Sequence, residues 1–184
     1  MTGRALTLVV IAFTLAVGAA DAAARPRTDR APAAASTQQI SEMPELQAQV
    51  LHAINDLRRE RGLSGLRLNS ALSLTALGHS VSMAQNGFFS HSGRNGSPFW
   101  QRIKPKYRPL PNSYWGIGEN LVWASPTLSA DETIQMWLAS APHRKNLLSP
   151  AWREVGLGAV RALAAPGVYE GLDVTILTAD FGVR

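Results

Sequence analysis

The chain has 184 residues, 46% of them apolar and 17% charged, which suits one globular domain with a real core and excludes a wholly disordered chain. Its formal charge of +5 and pI near 10.2 favour acidic partners in general, but no Lys/Arg run exceeds two residues and no nucleic-acid motif is present, so no nucleic-acid partner is expected. Cysteine is absent, which excludes disulfides, thiol catalysis, cysteine-based zinc sites and an N-terminal lipid-modified cysteine.

Residues 1–24 read as a secretory signal peptide. Arg4 supplies the positive start, Ala5 to Val17 the apolar centre, and the alanines up to Ala24 the small-residue cleavage zone. The apolar run falls short of the roughly 20 residues that a spanning helix needs, so no transmembrane span is expected in the mature protein. A secreted or extracytoplasmic location follows, in the cell envelope or periplasm. Residues 25–43, rich in Ala, Pro, Ser, Thr and Gln, read as a flexible linker without apolar periodicity. The folded domain is expected over residues 44–184.

Pro44 at a first helical turn, followed by Leu46, Val50, Ile54 and Leu57, predicts an amphipathic helix that stops near Gly62. His52, Asp56, Arg58, Arg59 and Glu60 are expected on its solvent side. A second helix is expected from an Asn69 or Ser70 cap to Gly87, with Leu74, Leu77, Val81 and Ala84 as its apolar stripe. His79 on that helix reads as a hydrogen-bonded or exposed histidine, not a ligand. Phe88 and Phe89 would anchor the loop that carries His91. Ser97-Pro98 reads as a cap and first turn of a short helix. Arg102, Lys104, Lys106 and Arg108 then form the densest basic patch, read as a solvated loop, with contact to an anionic surface as the sharper alternative.

The run Gly116-Ile117-Gly118-Glu119-Asn120-Leu121-Val122-Trp123 combines a carboxylate and an amide with glycines before and an apolar strand after. That pattern suits a polar group at a sheet edge aimed into a cleft. Ser129 with Glu132 is a capping box, and the helix it starts is interrupted at Pro142. Glu154 to Val160 reads as a strand whose alternate glycines admit close packing. Gly167 with Val168-Tyr169 fits a turn and hairpin strand, and Asp173 to Gly182 reads as a buried strand. Helices first and strands afterwards indicate an α+β fold.

The candidate chemistry lies in His91, Glu119 and His143. Two imidazoles and a carboxylate are zinc donors, and a metal-bound water would be a usable nucleophile, so these residues are candidates for a catalytic or metal site. Neither a His-Glu-x-x-His helix nor a Gly-x-Ser-x-Gly elbow is present. On residue types alone, a hydrogen-bonded polar cluster that pins loops to the sheet is the favoured explanation.

The segments Phe88-Phe89-Ser90-His91, Gly96-Ser97-Pro98-Phe99 with Arg102-Ile103, Gly118-Glu119-Asn120, Trp137 to Leu148, Glu154 to Gly158 and Asp180-Phe181-Gly182 occur in this order. Together they resemble the CAP superfamily of cysteine-rich secretory, antigen 5 and pathogenesis-related proteins, in its bacterial SCP-like extracellular branch. The resemblance implies a three-layer α-β-α sandwich with a mainly antiparallel central sheet and helices on both faces. It also implies a cleft with two histidines and two acids that binds a divalent metal in some members. His91, Glu119 and His143 match three of those four places, with Glu119 placed to bind a metal directly or through water. The fourth is Ser140, where eukaryotic relatives carry glutamate, and Asn120 joins it in the expected cleft lining. The expected function is a secreted binding module for a small apolar, lipid or envelope ligand, with zinc or another divalent cation as a candidate cofactor and no organic cofactor. The alternatives are a metal-assisted, protease-like hydrolase using His91, Glu119 and His143, and a structural extracellular protein-interaction domain.

Overall fold

A computed structural model describes residues 39–184. The expected signal peptide and most of the expected linker lie outside the described residues. The last part of that linker is folded: Ile40–Glu42 form β1, which pairs antiparallel with a later strand. Three residues are too few to show periodicity, and what orders them is a sheet partner remote in sequence.

Helix α1 spans Pro44–Glu60, β2 Arg67–Leu68, α2 Ser70–Asn86, α3 Phe99–Ile103 and β3 Gly116–Ala124. They are followed by α4, Ala130–Ala139, α5, Ala141–Leu147, β4, Glu154–Ala165, and β5, Leu172–Val183. The sheet order is β1-β4-β5-β3, with β2 pairing parallel to the start of β4. The long pairings, β3 with β5 and β4 with β5, are antiparallel, so the expected mainly antiparallel sheet is what forms.

Alternation along the strands assigns the two faces. Val122, Val155, Leu157, Ala159, Leu177, Ala179 and Phe181 pack with Leu46, Val50, Ile54, Trp137 and Leu147 of α1, α4 and α5. On the opposite face, Val160, Val174 and Ile176 meet Met83 and Ala84 of α2, while Leu72 packs with Ile103 and Tyr107. Helices on both sides of one sheet make the expected α-β-α sandwich.

Several local expectations are corrected. Gly167–Tyr169 is a 3-10 turn, with Tyr169 buried, and not a hairpin strand. Pro98, not Ser97, stands at the cap position of α3, and it offers no side-chain cap. Arg58 is wholly buried: its guanidinium donates to the carbonyls of Ser64, Leu147 and Ser149 at 2.9, 3.0 and 3.0 Å, gripping the end of α5. The apolar stripe of α2 is rotated from the expected one, for Leu74 is 58% exposed while Leu72, Thr75, Ala76, His79, Ser80 and Met83 are buried. Gly156 and Gly158 explain the shift. A Cβ at either position would overlap the backbone of α2, at Leu72-Ser73 and Leu77 respectively. The helix therefore lies directly on the glycines and presents its small, polar face to them. Its Thr75 and Ser80 hydroxyls are satisfied by Asp180 Oδ2 and by the Gly158 carbonyl.

Candidate functional site

The site is built around β3, which ends the sheet order opposite β1. Adjacent residues on a strand point to opposite faces, so Glu119 faces the α2 and α3 side while Asn120 faces α5. Glu119 is 4% exposed, and both carboxylate oxygens have partners. Oε1 lies 2.8 Å from His91 Nδ1, and Oε2 accepts from Arg102 Nη2 of α3. A carboxylate only accepts, so His91 donates through Nδ1, and the neutral form of the ring has its lone pair on Nε2. The His91 side chain is 51% exposed, which leaves that nitrogen within reach of a ligand.

On the other face, the buried Asn120 donates through Nδ2 to the His143 carbonyl at 3.0 Å, and its Oδ1 accepts from Asn146 Nδ2 at 3.0 Å. Asn146 Nδ2 also reaches the Glu119 carbonyl at 3.0 Å, and Trp137 Nε1 donates to the Leu121 carbonyl at 3.1 Å. These side chains satisfy outward carbonyls of an edge strand and blunt it against further pairing. They also clamp α5 so that His143 reaches round the edge, its ring centroid 6.3 Å from that of His91 with the planes inclined at 53°. The glycines before Glu119 make room for this. A Cβ at Gly118 would press on Trp152 and Asn146.

The sheet therefore brings His91, Glu119 and His143 together, as the order of motifs suggested. Asn120 does not line the cleft as expected: it is fully buried and acts by holding α5. Ser140 sits at the junction of α4 and α5 and makes no side-chain cap. Sequence reading placed Arg102 in a solvated basic patch, yet its guanidinium is the cation on Glu119. Its position beside the buried Ile103 in α3 is the signal that could have found it. Asp180 was also missed as a site residue. It stands directly opposite Glu119 on β5, fully buried, with Thr75 Oγ1 donating to Oδ2 at 2.7 Å and Oδ1 without a hydrogen-bond partner. An acid inside the apolar end of the strand, between Ala179 and Phe181, was the visible sign.

Electrostatics follow from burial. Burial and the neighbouring Glu119 push Asp180 well above the usual carboxylate range. His143 is lowered by burial and then by the nearby His91, so a neutral imidazole is favoured. His79, whose Nε2 is 2.8 Å from the Ser90 carbonyl, is lowered by burial and by Arg102, in keeping with its expected role as a core hydrogen-bonding residue. Among the described residues, no group of three His, Cys, Asp or Glu side chains is arranged to hold a metal. What the residues offer is two imidazoles, with a carboxylate already engaged on both oxygens.

The model of the CAP, cysteine-rich secretory protein family matches residues 51–169, and the chain belongs to that family. It is similar to the uncharacterized protein YkwD of Bacillus subtilis, 30% identical over 147 residues, which cover 77% of this chain and 54% of the relative. The uncharacterized membrane protein YlbC of the same organism is 27% identical over 61% of this chain and 31% of its own length. The chain thus spans about half, or less, of these curated relatives. Among solved structures, an extracellular SCP-domain protein of Bacillus anthracis superposes with a TM-score of 0.60 at 24% identity, covering 77% of this chain and 41% of that one. An outer surface protein of Borrelia burgdorferi gives 0.61 at 20% identity, covering 80% and 99%. At these identities the structural likeness establishes the fold.

Proposed function

We propose that this CAP domain is an exported ligand-binding module whose recognition site is the cleft of His91 and His143, ordered by Glu119 and Arg102. The carrying observation is the state of Glu119. With Arg102 on one oxygen and His91 on the other, and at 4% exposure, it serves to orient an imidazole and meets a ligand only through that ring. This favours a binding site over a hydrolase in which Glu119 itself is the base or the metal ligand. The fitting ligand is a small apolar, lipid or envelope molecule with a polar head that hydrogen-bonds to the two imidazole edges. Export is supported by the Arg4 and Ala5–Val17 pattern, and by relatives described as extracellular or outer surface proteins. No helix among the described residues is long and apolar enough to cross a membrane.

The second reading is a divalent cation. His91 with Nε2 free and His143 with a lowered pKa would hold it, and Glu119 would fix the His91 ring through Nδ1, as carboxylates do behind metal-bound histidines. Bound there, it would supply Lewis acidity. A complete coordination shell would need water or the ligand as further donors. Native mass spectrometry on the exported full chain tests both readings. A co-purifying organic species lost from His91→Ala/His143→Ala, with unchanged thermal stability, supports the module. Zinc heat in calorimetry that the same variant abolishes supports the cation. Absence of both, or retention of both by the variant, overturns the cleft as the binding site.

A further inference from the structure

The charge of this chain is segregated in a way the cleft does not use. No Asp or Glu occurs between Glu60 and Glu119, whereas Arg94, Arg102, Lys104, Lys106 and Arg108 all fall within the stretch 92–118. Arg102 is engaged by Glu119, and Ile103 and Tyr107 point into the core, both wholly buried. The remaining side of α3 faces outward. Trp100, Gln101, Lys104, Pro105, Arg108 and Pro109 line an open groove of about 610 Å³ there. Trp100 is 44% exposed and Leu110, next along the chain, 51%. The Arg108 guanidinium donates to the Pro105 carbonyl at 3.2 Å, and neither Lys104, Lys106 nor Arg108 forms an ion pair with an acid among the described residues.

We propose that this groove and the loop after it are the surface by which the domain adsorbs to an anionic phospholipid bilayer. Two properties select that occupant over a soluble polyanion. An indole prefers the headgroup boundary, where its ring is buried and its N–H remains wet. Long cationic side chains lay their methylenes on the apolar layer and keep their charges at the phosphates. A polyanion would need the cations alone, and would leave Trp100, the prolines and Leu110 in water. Each Lys or Arg at an anionic membrane surface strengthens adsorption, and the attraction fades within a Debye length. The unpaired cations therefore support reversible, salt-sensitive adsorption and not insertion. This surface lies on α3 and the chain following it, and it binds independently of the ligand proposed for the cleft.

The test is co-sedimentation of the full chain with vesicles of phosphatidylglycerol in phosphatidylcholine, against phosphatidylcholine alone. Preferential binding to the anionic vesicles is expected. It should weaken roughly tenfold or more in Lys104→Gln/Arg108→Gln and at high salt, and also weaken in Trp100→Ser. Tight binding to heparin, with vesicle binding unaffected by Trp100→Ser, would overturn the membrane surface in favour of a polyanion. Equal binding to both vesicle types that survives all three substitutions would also overturn it, assigning adsorption to the apolar Ala5–Val17 run. Thermal unfolding of each variant separates loss of the surface from loss of the fold.

Discussion

Glu119 carries a charge at a place where little water reaches, and such a group persists only with compensating donors. Arg102 and His91 supply them, from α3 and from the loop before it. Replacing Arg102 by alanine leaves the carboxylate with one partner. Urea denaturation of Arg102→Ala should show a loss of about 3 kcal/mol, with Arg102→Lys recovering only part because a point charge cannot match the planar guanidinium. The acid, both histidines and their order along the chain were legible beforehand, since polar residues among glycines and apolar runs stand out. The cation was not. Its neighbours Lys104 and Lys106 look the same in sequence, and only the direction in which α3 faces the sheet separates the buried pair from the exposed charges.

At the scale of elements, α2 against β4 and β5 is the contact that sets the geometry of the sandwich. Gly158 receives the helix backbone, so Gly158→Ala should cost on the order of 3 kcal/mol or prevent folding, as overpacking without a route of escape does. Gly78, in the middle of the same helix with nothing near its Cβ position, is the control. Gly78→Ala should stabilise by about 0.5–1 kcal/mol, read by the same denaturation. Three helix ends were anticipated: Asn69 caps α2 by accepting from the amides of Ala71 and Leu72, Gly87 closes it with φ at 65°, and Ser129 with Glu132 forms the full capping box. Caps depend on neighbours within a few residues. The buried face of α2 depends on what lies beneath it, and the smallness of Gly156 and Gly158 outweighs the greater hydrophobicity of Leu74.

Across the molecule, a third, largely buried acid ties distant segments together. Glu154, at the start of β4, accepts from Tyr107 Oη at 2.6 Å and from Asn69 Nδ2 at 3.0 Å, with Arg184 nearby at 3.7 Å and stacked on the Tyr107 ring. Burial raises its pKa, but these donors and cations together outweigh it, and the net shift is downward. Its contribution to stability is therefore fully present above the unfolded value of about 4.3 and is lost as pH falls through the lower folded value. Thermal melts of Glu154→Gln should fall less steeply than the wild type's across that acidic window, and the two should differ most near neutral pH. Equal pH slopes would count against the cluster.

Helical and strand periods and capping residues are local quantities, and from them the sequence by itself determined the α+β sandwich and most of its element boundaries, while the order of motifs, through its resemblance to the family, grouped His91, Glu119 and His143. Tertiary structure alone decided that Ile40–Glu42 joins the sheet, that Arg58 is interior, that Asn120 holds α5 instead of lining the cleft, and that Arg102 and Asp180 flank Glu119. Each of those outcomes depends on a partner well separated along the chain, whose position is fixed only when α2 settles on its glycines and β3 takes the edge of the sheet.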